Sequence, residues 1–347
     1  MVIMVLRFAH TSEIEQWNKL ILSNPDGGNV FQGMEFATQK QLGGWRPRYI
    51  MADLLALTIL EKTVVGLGKL WYLPKGPGIT SPDQLTKLLP DLQAFARQHN
   101  VFLIKIEPEL PATAAPTLRA AGLVKATPIQ PNFSTVTVDI SASLEHILTS
   151  LNQKGRHAIK RAERDGVRIK QVEATDENCQ LMYRLLADTA EGSFRIRTYA
   201  YYKTFWQRYA SIGTGQLFFA YVEGTLVAGA YAVVFGHKST YKDGASIRER
   251  TVYGASHLLQ WHVIEWAKAH GSTVHDLCGA PPSAQIKDPT HPHYGIGRFK
   301  TSFNKEVTDY VGVYDLVIRP LAYQLWYQLG ERIVVRLHNY RYHENYY

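Results

Sequence analysis

Helix-like and strand-like patterns alternate along this chain in an order that comes round twice, and few architectures accommodate such a run. Ile14, Trp17, Leu20 and Ile21 recur at helical spacing from about Ser12. Strand-like runs at residues 49–51, 54–60 and 69–73 and a Pro/Gly turn at residues 74–78 follow. A helix at residues 83–98 and a strand at 102–106 close this first round. After about residue 141 the order returns: helices near residues 144–165 and 177–189, strands near 217–222 and 226–235, a helix at 255–270 and a strand at 273–277. A last strand at residues 310–318 precedes an amphipathic aromatic helix over about 320–337. The pattern predicts an α/β protein whose sheets are mixed in the α+β manner, with helices packed on them. Duplication is suggested by element order alone, because no residue-level repeat accompanies it. No low-complexity linker separates the halves, which predicts two domains packed together.

The length of 347 residues exceeds the usual size of one core and agrees with two domains. With 46% hydrophobic and 20% charged residues the chain is not of the disordered class. A net charge of +8 favours polyanionic partners: RNA, a nucleotide diphosphate or an anionic membrane surface. Cys179 and Cys278 lie far apart and form no disulfide or metal-ligand pattern, which predicts a reducing, cytoplasmic compartment. The apolar run at residues 1–6 precedes Arg7 and predicts a first strand, not a signal peptide. The run at residues 54–60 is far shorter than the ~20 residues that span a bilayer.

Residues 151–170 hold seven Lys or Arg against two acids, and Arg156, Lys160 and Arg164 recur every fourth residue. Two readings fit: a ridge that tracks phosphates, or a solvated face with Ile159 and Ala162 turned inward. Further on, Gly295-Ile296-Gly297-Arg298-Phe299-Lys300-Thr301-Ser302-Phe303-Asn304 puts two aromatics around a lysine after a flexible glycine pair. Such a lysine either offers its ammonium to a developing oxyanion or snorkels over apolar neighbours at the surface. His291 and His293, with Asp288 and His275, raise a metal site, but Pro289 and Pro292 make residues 288–293 a rigid loop and no third ligand follows at a familiar spacing, so no metal is expected. Cys278 reads as a small buried residue.

Taken together the motifs resemble the FemABX family of peptidoglycan interpeptide-bridge aminoacyltransferases, in that family's order along nearly the whole chain. They are Asn29-Val30-Phe31-Gln32, Tyr72-Leu73-Pro74-Lys75-Gly76-Pro77, Lys105-Ile106-Glu107-Pro108 and the basic helix ending Arg161-Ala162-Glu163-Arg164-Asp165-Gly166-Val167. More specific are Tyr241-Lys242-Asp243-Gly244-Ala245-Ser246, the helix Leu258-Leu259-Gln260-Trp261 leading to Ala267 and Gly271, Asp276 three before Gly279, and Gly295-Ile296 before Phe299-Lys300. The resemblance implies two GCN5-related N-acetyltransferase-like domains, residues 1–140 completed by 308–347, and 141–307. It is to the short members, because no heptad run of coiled-coil length occurs.

The same resemblance implies an enzyme that moves an amino acid from aminoacyl-tRNA to the stem peptide of UDP-MurNAc-pentapeptide or its lipid-linked form, in interpeptide-bridge formation, cell wall biogenesis and cell shape. Lys300 would stabilise negative charge, with Phe299 against the acceptor end of the tRNA. Arg156, Lys160 and Arg164 would meet the tRNA body. Lys40, Arg197, Tyr201 and Tyr241 would hold the diphosphate and sugar of the precursor. Glu107 stands where the family often has Asp before Pro and is a candidate general base. No cofactor, no metal and no DNA partner are implied. Asn304 departs from the family's Gly after Phe303, a place where Asn tolerates a left-handed turn. Residues 288–293 depart as well. Two rivals stand: an acyl-coenzyme A N-acyltransferase of the same superfamily, whose phosphate loop would be the degenerate Arg250-Thr251-Val252-Tyr253-Gly254-Ala255, and a non-enzymatic RNA-binding or membrane-surface protein, favoured by the aromatic, basic tail at residues 323–347. That tail also offers an enzyme a peripheral contact with a membrane surface.

Overall fold

The structure, a computed structural model, describes residues 4–127, 129, 133–190, 196–247, 253–342 and 346–347. The chain divides into two compact units: unit 1, Met1–Pro131 with Tyr310–Tyr347, and unit 2, Asn132–Asp309.

Unit 1 runs β1 (Leu6–Phe8), α1 (Thr11–Ile14), α2 (Trp17–Leu22), α3 (Met34–Gln41), β2 (Arg46–Ala52), β3 (Leu55–Val64), β4 (Gly68–Leu73), α4 (Pro82–Gln98), β5 (Val101–Ile106), α5 (Ala115–Ala120) and β6 (Val124–Lys125). Unit 2 runs β7 (Ser134–Asp139), α6 (Leu144–Ser150), α7 (Gln153–Arg164), β8 (Arg168–Val172), α8 (Asp176–Ala190), α9 (Tyr199–Ser211), β9 (Gly215–Val222), β10 (Thr225–Phe235), β11 (Lys238–Ser246), α10 (Ala255–Ala269), β12 (Val274–Gly279), α11 (Tyr294–Lys300) and β13 (Thr308–Asp309). The chain then returns to unit 1 with β14 (Tyr314–Val317), α12 (Pro320–Leu325), a π-helical turn (Trp326–Gly330) and α13 (Glu331–Tyr342).

Each unit is built on a seven-stranded sheet, and the two sheets have one plan. The first reads β1-β2-β3-β4-β5-β14-β6 and the second, from its far edge, β8-β9-β10-β11-β12-β7-β13. All neighbours are antiparallel except one parallel pair at the same place in each, β4–β5 and β11–β12. The sixth strand is exchanged. β7, which follows β6 and had been counted with the first domain on sequence, pairs with β12 in unit 2, while β14, which follows β13, pairs with β5 in unit 1.

Local chemistry sets the elements. Helix α4 starts where Ser81 accepts the Gln84 N–H and Pro82 fixes the first turn. Its Leu85, Leu88, Leu89 and Leu92 recur at helical spacing and bury against the sheet with Ile104 and Ile106 of β5. The returning strand adds Tyr314 and Leu316 to the same core. In unit 2, α10 buries Leu258, Leu259, Val263 and Ile264 against Phe218, Ala220, Ala230 and Ala232 of β9 and β10. The single helix expected at residues 144–165 is two: Leu151 and Asn152 are extended, and Arg156 Nη1 donates to the freed carbonyls of Thr149 and Leu151 at 2.5 and 2.6 Å. The helix expected from Ser12 also breaks, at Gln16.

Candidate active site

The parallel pair of unit 2 parts company at its carboxyl end. β11 and β12 are in register only over Lys238–Val274, Ser239–His275 and Thr240–Asp276, whereas β4 and β5 stay paired to Leu73–Ile106. Beyond Thr240, β11 continues on β10 and β12 continues on β7, which leaves a notch between them. Notches outside the carboxyl ends of parallel strands are where α/β sheets bind ligands. A bulge lies on each side. Tyr231 faces Asp243 and Ala232 faces Tyr241, so Lys242 is the extra residue of β11. On β12 the register slips between Asp276 and Gly279, and Cys278 takes a left-handed φ of 57°. Asp276 fixes that turn, its Oδ1 accepting from the Cys278 N–H at 2.8 Å and from the Thr135 hydroxyl, with Lys238 Nζ 3.3 Å from Oδ2.

Lys300, the last residue of α11, reaches into this notch. Its Nζ donates to the carbonyls of Cys278 at 2.9 Å and Gly279 at 2.7 Å, and the side chain is buried. Two carbonyls, rather than the aromatic faces expected from Phe299 and Phe303, therefore hold it; those rings pack edge-on to each other at 5.4 Å and around His257. Nor is the preceding glycine pair flexible. Gly295 and Gly297 lie inside α11, and a Cβ on Gly297 would sit 2.7 Å from Ile286 Cδ1, so that glycine serves close packing. Burial lowers the Lys300 pKa to about 8, against the opposing influence of Cys278 and Asp276. An ammonium has three donors; with two given to carbonyls, one remains for a ligand oxygen. The Cys278 thiol is pushed up to about 12, by burial first and then by Asp276, so it is no nucleophile.

Charged and aromatic groups of unit 2 converge on the notch. Lys242 pairs with Asp243 at 3.2 Å, and Asp243 accepts from Trp206 Nε1 at 2.9 Å. Burial alone would lower the Lys242 pKa, but Asp243 and then Tyr202 and Tyr201 raise it. The Arg197 guanidinium stacks on Tyr201 at 4.5 Å. Tyr241 lies over Gly244, where a Cβ would meet its hydroxyl. Of the residues singled out on sequence, Tyr201 acts on Lys242 and carries the Arg197 guanidinium, while Tyr241 feels the charge of Asp243 and Cys278. Sequence reasoning reached Lys242, Asp243 and Asp276 only as parts of the Tyr241–Ser246 and Asp276–Gly279 motifs, with no signal for their separate places in the site.

Helix α7 seats the basic ridge beside the same segment. A Cβ on Gly155 would lie 2.2 Å from the Ser302 carbonyl, so α7 backbone abuts the chain just past Lys300. Gly155, Ala158, Ile159 and Ala162 are buried and Lys160 and Arg164 exposed, whereas Arg156 is half-buried and spent on the α6 carbonyls. From this face an aromatic run leads inward: Arg161 over Tyr253 at 5.3 Å, Tyr253 stacked on His257 at 6.4 Å, and His257 against Phe299 at 5.0 Å. Of the coenzyme-loop pattern, residues 248–252 lie outside the described residues. Gly254, which opens α10, has φ 90° and α7 against it, a Cβ there falling 2.2 Å from the Ala158 carbonyl.

Lys40 and Glu107 belong to unit 1. Lys40 is buried on α3 with its Nζ 5.4 Å from the Phe36 ring centroid. Glu107, also buried, accepts from Tyr72 Oη at 2.5 Å and has Lys75 Nζ at 3.4 Å. Of the four metal candidates, His291 and His293 lie with ring centroids 5.8 Å apart and Asp288 feels the charge of His291, but no group of three among the described residues is placed to hold an ion. His275 is enclosed in β12 with Nδ1 2.7 Å from Ser239 Oγ and Nε2 2.6 Å from Gln260 Nε2. His293 lies at the start of α11, its pKa lowered by burial and by the charges of His291 and Lys300. Asn304 does not take the left-handed turn expected of it; its amide donates to the Thr137 carbonyl at 2.8 Å and accepts the Glu306 N–H.

Comparison with known proteins agrees with this architecture. The pattern of the FemAB family matches residues 114–223 and 215–330. The lipid II:glycine glycyltransferase of Staphylococcus aureus (strain MRSA252) is 20% identical over 406 aligned positions, spanning 92% of this chain and 95% of that protein. Among solved structures, a crystal structure of FemX superposes with a TM-score of 0.78 at 20% identity, over 94% of this chain and 100% of that one. The structure of L-PGS from Bacillus licheniformis gives 0.52 at 13% identity, over 93% and 98%. The fold is that expected on sequence, α/β with helices on two mixed sheets in two domains, and it is the fold of FemX. With more than half of its length matched by that pattern, the chain belongs to the FemAB family.

Proposed function

We propose that this protein is an aminoacyltransferase that takes its aminoacyl group from aminoacyl-tRNA and joins it to an amine on the stem peptide of a peptidoglycan precursor, building an interpeptide bridge. The observation that carries the reading is the Lys300 ammonium, buried in the notch with a donor to spare, at the inner end of the Arg161-Tyr253-His257-Phe299 run. Attack by the amine nitrogen on the ester carbonyl makes a tetrahedral carbon whose oxygen becomes anionic, and a fixed cation there acts on charge that exists only during reaction. The ester C–O bond then breaks, the tRNA ribose hydroxyl leaves with the proton the amine gives up, and an amide remains. A lysine amine has an ordinary pKa near ~10.4, so a base or an ordered water assists its deprotonation.

The basic face of α7 suits a tRNA backbone, and aromatic rings suit the unpaired bases at its acceptor end. Lys160 and Arg164 would contact phosphates directly, with Arg156 bracing the helix. Arg197, Tyr201 and Tyr241 would hold the diphosphate and sugar of the acceptor. The S. aureus relative is named for lipid II, which supports a lipid-linked acceptor. The donor places the reaction in the cytoplasm. Acyl-coenzyme A fits less well, because α7 is packed on the start of α10, where its pyrophosphate would need a helix N-terminus.

The test is transfer of radiolabelled amino acids from a total aminoacyl-tRNA pool to UDP-MurNAc-pentapeptide and to its lipid-linked form. Transfer should be abolished by RNase treatment of the donor and reduced on the order of 100-fold or more by Lys300→Ala. No transfer to either acceptor, with acetyl-coenzyme A supporting acylation instead, would transfer the assignment to the coenzyme A reading.

A further inference from the structure

The carboxyl-terminal helical stretch of unit 1 carries an apolar row that the fold leaves in solvent. Leu321, Leu325, Leu329, Ile333, Leu337 and Tyr340 are exposed by 47% (Ile333) to 83% (Tyr340), although each is large and apolar. Isolated exposed leucines are common, but six along one line are not. Four-residue steps drift around a regular α-helix by about 40° each. The π-helical turn at Trp326–Gly330, wider than an α-turn, slows that drift midway and keeps the row on one side. The opposite side is anchored: Ala322 and Trp326 are buried, Trp326 packing edge-on to Phe102 of β5 at 5.8 Å. The helix is therefore held to the sheet by one face and offers the other.

Two further features bear on what meets that face. Arg332 and Arg336 are exposed beside the row. The β3–β4 turn reaches the same helix, with Arg319 Nη1 donating to the Leu67 carbonyl at 3.2 Å and Leu67 lying against Gly330, and its Val65 is 95% exposed. We infer that this surface, the α12–α13 row with the Val65 turn, docks on a bilayer of anionic phospholipid, leucines and tyrosine entering the headgroup boundary and Arg332 and Arg336 meeting phosphates. Among the described residues no helix is long and apolar enough to cross a membrane, so the contact lies along the surface. A second copy of the chain fits less well, because a two-fold contact through this row would set each Arg332 and Arg336 close to the same arginines of its mate. The inference rests on the proposed function in one respect, that a lipid-linked acceptor gives the contact a use; the binding itself needs no substrate.

The experiment is flotation of the purified full-length chain with vesicles of phosphatidylglycerol and phosphatidylcholine, and with phosphatidylcholine alone, at physiological ionic strength. The protein should float with the anionic vesicles on the order of tenfold more strongly than with neutral ones, and Leu325→Glu/Leu329→Glu and Arg332→Glu/Arg336→Glu should each lose at least that much. Circular dichroism and an unchanged Tm would establish that the variants are folded. A wild type that stays unbound with both vesicles, or folded variants that float as it does, would overturn the inference. Dimerisation in light scattering that Leu325→Glu/Leu329→Glu abolishes, without flotation, would give the surface to a second copy. Because flotation uses no tRNA or precursor, a failed transfer assay leaves this result standing, and a failed flotation leaves the transfer result standing.

Discussion

The proposed reaction asks Lys300 to carry charge in a place that penalises charge, and the two demands make opposite predictions in one pH window. Its pKa is lowered from 10.5 to about 8 in the folded protein. Below pH 8 both folded and unfolded chains hold the proton and the burial penalty applies in full. Between 8 and 10.5 the unfolded chain holds it and the folded one does not, so the Lys300 contribution to stability rises with pH. The span corresponds to on the order of 3 kcal/mol. The Tm advantage of Lys300→Met over the wild type should therefore be largest below pH 8 and shrink toward pH 10.5. Catalysis should do the reverse. If the ammonium stabilises the oxyanion, kcat should fall above pH 8, and in Lys300→Arg, charged throughout, the residual activity should lack that falling limb; a limb that survives the substitution would assign the titration to another group. Lys300 and Phe299 stand out in the sequence because they close an ordered set of motifs. What holds Lys300 was not, since its carbonyl partners depend on a left-handed turn at Cys278 that nothing in a cysteine's chemistry announces.

At the scale of elements, α7 is the piece whose placement matters most, because it joins a basic, exposed surface to the segment carrying Lys300. The join is backbone to backbone at Gly155. Gly155→Ala would place a Cβ 2.2 Å from the Ser302 carbonyl, a backbone atom that no turn of a side chain can move away. Overpacking of that kind costs about 1–3 kcal/mol, a fall in Tm of several degrees, and here it should also lower transfer by moving α11 and α7 apart. Gly295→Ala is the control: nothing lies within 4 Å of its Cβ, and a helical position favours Ala, so Tm should hold or rise. If both variants melt alike, close packing at Gly155 is not what seats α7. Sequence periodicity located most helices and central strands, including α4, β5, β10 and α10, but not β11. That strand has Asp243 and Gly244 in its middle, and the bulge at Lys242 breaks the alternation by which a strand is read.

In the whole molecule, the exchange of the sixth strands makes the two units unequal in their dependence on chain continuity. All seven strands of unit 2 come from one continuous stretch, β7 to β13. Unit 1 lacks a strand between β5 and β6 until β14 is supplied from beyond unit 2. That strand brings Tyr314 and Leu316 to the core and Asp315 to the buried Lys105, 3.2 Å away. The Asp315 pKa is raised, by burial first, with Lys105 acting against it, so removing Asp315 leaves a buried lysine without that partner. The order of elements made the duplication legible, but not the exchange, because residues 134–139 and 314–317 suit a central antiparallel position in either sheet. A chain ended at residue 309 should consequently keep unit 2 and lose unit 1: limited proteolysis should digest residues 1–131 and leave a resistant fragment close to residues 132–309, and that fragment expressed alone should melt cooperatively. Residues 4–131 joined by a flexible linker to 310–347 should recover protease resistance, since the linker restores β14 without unit 2. If the chain ended at 309 instead resists digestion throughout, β14 is dispensable, and unit 1 closes its core on β5 and β6 alone.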